Sequence, residues 1–346
     1  MTPRTISTPR LTTSVRFSGP EDGIPVLFVH GNLSGGTWWE EVMAALPAGY
    51  RGTAPDLRGY GGADPAALID ATRGAGDFSD DLVALMDHLG IDAAHMVGHS
   101  LGGGVLWRVL ADHPGRVLSL TQVAPSSPFG FGATLADGTS CFADGAGSGG
   151  GAVNPDFAQR LAAGDRTAEA ETSPRTILNT FVWKPPFVPE RIEEILETAL
   201  AQHTGETAYP GDMAQSENWP GVAPGKYGPV NALAPIHQTD PLGFVAAEPK
   251  PPILWIRGED DPIVADESLF DLGTLGKLGA VPGWPGEDVF PPQPMVAQTR
   301  SALAAYRDAG GTVDEVAIPD CGHSPFLEKP GAFTEAFHGF LARVAG

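Results

Sequence analysis

Unbroken apolar runs alternate with longer amphipathic stretches through the first third of the chain. The run at 24–29 (IPVLFV) has no charged or hydroxylic position, which marks a strand buried on both faces. A helix is expected at 37–46 (TWWEEVMAAL) and a strand at 50–54. The stretch 78–89 (FSDDLVALMDHL) repeats at helical spacing: Phe78, Leu82, Leu85, Met86 and Leu89 share one face, with Asp80, Asp81 and Asp87 largely on the other. The runs 93–97 (AAHMV) and 117–123 read as strands on either side of a helix at 105–111 (VLWRVLA). Strands separated by helices predict an α/β fold with a mostly parallel central sheet flanked by helices.

The pattern breaks after Ala124. Between 126 and 247 the chain is rich in Gly, Pro and Ser and holds no convincing strand; 144–151 (DGAGSGGG) reads as a flexible loop. Asn154-Pro155 and Ser173-Pro174 each pair an N-cap residue with proline at the first helical position, and 189–203 is the clearest helix here. Strands return at 252–256 and 312–318, followed by a helix at 332–344. The expected organisation is a core formed by 1–125 and 248–346, interrupted by a mainly helical cap at 126–247. A smaller insertion rich in Pro and Gly lies at 272–294, within the second part of the core.

Composition narrows the setting. With 346 residues, 42% hydrophobic and 18% charged, the chain is long enough to bury a substantial core. No apolar stretch reaches the length of a membrane span, and the first residues lack the apolar block of a secretory signal, so a cytoplasmic location is expected. A net charge of −21 argues against nucleic acid and anionic membranes as partners. It reads as solubility, with steering of a cationic substrate as the alternative. Cys141 and Cys321 form no disulfide framework and are expected to be reduced.

The chemistry is concentrated at strand ends. GHSLGG at 98–103 contains G-x-S-x-G between an apolar strand and an apolar helix, the setting in which a tight turn lifts the Ser100 hydroxyl off the end of a sheet. A serine hydroxyl needs a general base, and the base needs an orienting acid. The strand at 252–256 runs into GEDDPIV, offering Asp260 and Asp261; the strand at 312–318 runs into PDCGHSP, offering His323. No His/Cys/carboxylate spacing suggests a metal site, and no G-x-G-x-x-G enters a helix, so no cofactor is expected.

Five motifs in order, HGN at His30, DLRGYG at Asp56, GHSLGG at Gly98, GEDDPIV at Gly258 and CGHSPFLEKP at Cys321, resemble the α/β-hydrolase fold family and its capped serine hydrolases. The resemblance implies a Ser100–His323–Asp261 triad, with Asp260 as the fallback acid. It also implies an oxyanion hole from the Leu101 N–H and the HGN loop at Asn32, with Leu33 as a further donor. Leu33, Trp38, His99, Phe129 and Trp183 are the expected substrate-pocket residues. His99 and His30 are also expected to support their turns, and Asp56 and Arg58 to form a local ion pair or turn fixture. Most of Phe129, Phe131, Phe181, Trp183, Phe187 and Trp219 should form the cap's own core. His203, His237, Cys141 and Cys321 are expected to be non-catalytic. The implied reaction is hydrolysis of a small, hydrophobic carboxylic ester or lactone. Carbon–carbon hydrolysis of a β-diketone-like compound is the alternative, and a non-catalytic ligand-binding role is a third reading.

Overall fold

The computed structural model of the protein describes residues 1–344; positions 345–346 of the expected core lie outside the described residues. Eight strands form one sheet: β1 (Arg4–Ser7), β2 (Thr12–Ser18), β3 (Ile24–Val29), β4 (Tyr50–Pro55), β5 (Ala94–His99), β6 (Val117–Val123), β7 (Ile253–Gly258) and β8 (Val313–Ile318). Their spatial order is β1-β2-β4-β3-β5-β6-β7-β8. From β4 to β8 every neighbouring pair is parallel, while β1 and β2 form an antiparallel edge. The sheet is thus mostly parallel, as its alternating pattern predicts. The edge pair β1–β2 was not anticipated.

The longer helices are α1 (Gly76–Leu89), α2 (Leu101–Asp112), α3 (Pro155–Ala162), α4 (Ile192–Leu200), α5 (Met295–Asp308) and α6 (Pro330–Val344). Phe78, Leu82 and Met86 of α1 pack in one layer with Leu106 and Leu110 of α2 and with Leu303 and Tyr306 of α5. Phe333, Phe337 and Phe340 of α6 fill another with Trp38, Trp39 and the insert residues Trp183 and Leu196. The expected helix at 37–46 is shorter than its pattern: a 3-10 turn, Gly36–Trp39, runs into Glu40–Ala44.

Residues 126–247 contain short helices and much turn. Asn154 caps α3 by accepting the N–H of Asp156 at 2.9 Å and that of Phe157 at 3.4 Å. Ser173 does not cap: its hydroxyl donates to Asp165 at 3.0 Å, and the helix behind it, Pro174–Ile177, passes into a π-helical turn at Leu178–Val182. Two small ribbons add strands where none was expected, Met213–Gln215 with Val222–Pro224 and Thr204–Gly205 with Tyr209–Pro210. Pairs of two or three residues leave no periodicity to read.

The insertion at 272–294 packs against this insert. Leu272 and Phe290 are buried with Ala133, with Phe142 and Trp219 beside them. Trp219 Nε1–H donates to the Pro282 carbonyl at 2.9 Å. A buried amide network completes the seam. Gln293 Oε1 accepts the Gly132 N–H at 2.5 Å, and its Nε2 donates to Gln298 Oε1 at 2.8 Å. Gln298 Oε1 also accepts the Ser127 hydroxyl at 2.7 Å, and its Nε2 donates to the Leu135 carbonyl at 2.8 Å. The second insertion therefore fastens the first to the core, and Trp219 serves this joint packing.

Candidate active site

Ser100 occupies the turn between β5 and α2 with φ 56° and ψ −119°, a conformation that non-glycine residues seldom adopt. The glycines around it are there for space. A methyl group at Gly102 would lie 2.3 Å from the Val29 carbonyl oxygen and 2.5 Å from that of His30, so α2 packs directly on the end of β3. The Ser100 carbonyl accepts the Ser126 N–H at 3.0 Å, tying the turn to the end of β6. Leu101 is the first residue of α2, so its N–H has no acceptor inside the helix, and it lies at the positive end of the helix dipole.

His323 follows β8 and Asp261 follows β7. His323 Nδ1 is 2.7 Å from Asp261 Oδ2, and both residues are buried. The other carboxylate oxygen, Oδ1, accepts the N–H groups of Ile263 at 2.8 Å and Val264 at 3.1 Å. Asp260 is turned away and accepts from Lys184 Nζ at 2.8 Å. The structure thus brings Asp261, rather than its neighbour, to the histidine. Among the described residues the Ser100 hydroxyl is not hydrogen-bonded to the His323 ring; such contacts tighten when substrate binds.

His99 joins the serine turn to the histidine turn. Its Nε2–H donates to the His323 carbonyl at 3.0 Å, and the two rings lie 4.7 Å apart. Burial, reinforced by the nearby His323, holds its pKa well below the usual histidine value, so the ring stays neutral. His30 is also buried, with its pKa lowered by desolvation. It accepts the Leu57 N–H on Nε2 at 2.9 Å and holds the Gly31 carbonyl through Nδ1 at 2.8 Å, which fixes its tautomer. These contacts place both residues as braces of their turns.

The HGN loop lies against the serine turn: a methyl at Gly31 would be 3.0 Å from both Ser100 Cβ and His99 Nδ1. Asn32 Oδ1 accepts the Tyr60 hydroxyl at 2.8 Å, which commits its carbonyl end and leaves the amide N–H groups as donors. Tyr60 was not singled out from the sequence, although the DLRGYG motif contains it. Leu33 takes left-handed backbone (φ 54°) and packs against both the cluster that contains Trp183 and the one formed by Phe157, Leu161 and Tyr209 of the insert.

The Trp38 ring is 6.5 Å from those of His99 and Trp183, and both indole N–H groups are buried without a partner among the described residues. Phe129 packs locally over Gly138, so its described contact lies within the insert. Phe181 meets Phe270 edge-on at 5.2 Å, and Phe187 packs on the layer containing Trp183.

The expected Asp56–Arg58 pair does not form. Asp56 accepts the N–H groups of Gly36 and Gly62 and faces Arg16, whereas Arg58 grips Asp81 with two bonds of 2.7 Å. A bidentate carboxylate is the better partner for a guanidinium. His203 and His237 contact backbone carbonyls, and burial raises the thiol pKa values of Cys141, to about 11, and Cys321. Among the described residues no three His, Cys, Asp or Glu side chains gather as a metal site, and no helix is long and apolar enough to cross a membrane.

Residues 24–140 match the α/β-hydrolase fold family. Across 98% of its length the chain also superposes on 90% of the carboxylesterase CesB of Bacillus subtilis, with a TM-score of 0.60 at 17% identity. The chain is an α/β-hydrolase-fold protein. Within the fold it is 36% identical over 124 residues to an uncharacterised carboxylesterase of Bacillus subtilis, covering 36% of this chain and 41% of that one. It is 38% identical over 113 residues to a non-heme chloroperoxidase of Streptomyces lividans, covering 32% and 40%. The chain spans about two fifths of the length of these curated relatives. In this α/β-hydrolase-fold protein the family match reaches the serine turn and stops before most of the insert, whose packing is described above from this chain alone.

Proposed function

We propose that this protein is a serine hydrolase that cleaves a small, hydrophobic carboxylic ester or lactone through an acyl-enzyme. The observation that carries the reading is the buried 2.7 Å bond between Asp261 and His323, set beside a serine held at φ 56° on the end of β5. His323 removes the Ser100 proton as the oxygen attacks the carbonyl, and Asp261 stabilises the imidazolium. The N–H of Leu101 and the HGN loop at Asn32 receive the oxyanion, with Leu33 as the further loop donor; each such donor is worth about 3 kcal/mol in the transition state. Water activated by the same histidine then releases the acid. Trp38 and Trp183 are assigned to the apolar wall of the substrate site, where their buried indole N–H groups have no partner among the described residues. Phe129 belongs to the insert that covers the site, and residues 126–247 act as its cap. The two free cysteines fit a cytoplasmic setting.

The test is a panel of p-nitrophenyl esters of increasing acyl length, run beside lactones and a β-diketone. Ester or lactone turnover that disappears in Ser100→Ala is expected. Cleavage of the diketone with every ester and lactone untouched would replace this reading with carbon–carbon hydrolysis. No turnover and no fluorophosphonate labelling would leave a binding protein.

A further inference from the structure

Glu328 lies at the end of the short helix Pro325–Glu328, just beyond the His323 turn, and is buried. Its two carboxylate oxygens serve different parts of the chain. Oε1 accepts the N–H of Gly322 at 2.7 Å, and Oε2 accepts the N–H of Lys184 at 2.8 Å. Gly322 immediately precedes His323, and Lys184 immediately follows Trp183 in the insert. A single carboxylate therefore spans the turn of the general base and the cap segment that reaches the core.

No cationic side chain is bonded to this carboxylate among the described residues. The Lys184 ammonium points to Asp260 and Asp320, and that of Lys329 to Asp320. The Cys321 thiol lies 3.6 Å from Oε1. Burial raises the Glu328 pKa, and the two backbone N–H groups work against that rise. The acid role beside His323 is already filled by Asp261. Glu328 thus occupies an unfavourable buried position whose described partners are two peptide N–H groups and a thiol.

We propose that Glu328 is a positioning residue that clamps the Gly322 peptide to the cap segment and thereby sets the His323 ring against Ser100. The inference rests on the triad reading above. Three side chains then anchor the His323 turn, beside the backbone bond from the Asp260 N–H to the Cys321 carbonyl at 3.0 Å. Asp261 holds the ring, His99 holds the carbonyl, and Glu328 holds the preceding peptide. Loss of the Glu328 contact frees the Gly322 peptide, which directly precedes the ring-bearing residue. Gly322 offers a way to break the same bridge from its other side: a methyl there would lie 2.8 Å from the Lys184 nitrogen and 3.0 Å from Glu328 Oε1.

The experiment compares wild type, Glu328→Gln, Gly322→Ala and the double variant. Each is checked for a cooperative melt, then assayed for p-nitrophenyl acetate turnover and for the rate at which a fluorophosphonate modifies Ser100. In Glu328→Gln the amide NH2 faces one of the two N–H donors, so one bond is lost. Turnover and labelling should both slow by about ten- to a hundredfold. KM should stay within about threefold, because the substrate contacts are intact. Gly322→Ala should act similarly, and the double variant should be no slower than the worse single one, since both break one bridge. A folded Glu328→Gln with kcat within about twofold of wild type would overturn the proposal. So would losses that multiply in the double variant. If Glu328→Gln does not fold, Gly322→Ala decides on the same readouts. Failure to label wild-type Ser100 would overturn the triad reading and the clamp together; wild-type labelling matched by equally fast labelling of both variants would overturn the clamp alone.

Discussion

The serine turn and the seam between the two inserted segments are both buried, yet they are held together differently. Ser100 is fixed by close backbone approach: β3, β5 and β6 meet around it, and Gly102 lets α2 sit directly on the Val29 carbonyl. The inserted segment 126–247 is fixed by side chains. Gln293 and Gln298 reach the 127–135 loop through bonds that span 161 to 171 residues of sequence. The first arrangement confines Ser100 whatever lies above it. The second holds an inserted segment through amide bonds that can be removed one at a time.

Substitutions at the serine turn should therefore affect rate, and substitutions at the seam should affect stability and substrate binding. The largest effect expected is from Ser100→Ala, which should reduce kcat on a p-nitrophenyl ester by about six orders of magnitude while the protein melts normally. Asp261→Asn should reduce kcat by about four orders of magnitude, because the histidine loses its orienting acceptor. Asp260→Asn, which disturbs only the contact to Lys184, should leave kcat within about twofold and so separates the two adjacent carboxylates by their bonding.

At the seam, Gln298→Ala should lower stability by about 2–3 kcal/mol in urea denaturation, since Ser127, Gln293 and the Leu135 carbonyl lose a buried partner. Its KM should rise more than its kcat falls. A kcat loss comparable to that of Asp261→Asn would contradict the separation between seam and turn. The smallest effect concerns Asp271, which caps the helix Leu272–Lys277 and accepts the Gln293 N–H at 3.0 Å. Burial raises its pKa despite those bonds. The folded protein therefore holds this proton to higher pH than the unfolded chain, so this group's contribution to stability falls as pH rises above the ordinary carboxylate range. Asp271→Asn should flatten that part of the melting-temperature profile; an unchanged profile would show that the carboxylate does not contribute it.

The same contrast explains what the sequence disclosed. Strands β3 to β7 are largely buried, and Ser100 follows β5, Asp261 follows β7 and His323 follows β8 in short, readable motifs. The edge pair β1–β2 was hidden because TTSVRFS is only partly buried and mixes polar residues throughout. Helix α5 was missed because its buried face includes Gln298 and Thr299 beside Ala302, Leu303 and Tyr306, which interrupts the apolar spacing. Gln298 belongs to the seam, whose partners at Ser127 and Leu135 lie far away in sequence, whereas Thr299 donates to the Met295 carbonyl one turn back. Of the two expectations for Asp56 and Arg58, Asp56 does fix its turn, but the ion pair does not form for a related reason: proximity in the motif said nothing about Asp81, which α1 brings to Arg58.

The central claim is that Ser100 is the nucleophile of this constellation, and covalent trapping tests it most directly. After incubation with a fluorophosphonate, intact-mass measurement and peptide mapping should find one adduct on Ser100 in the wild type and none in Ser100→Ala. An unmodified wild type, or an adduct on any other residue with Ser100 untouched, would contradict the account.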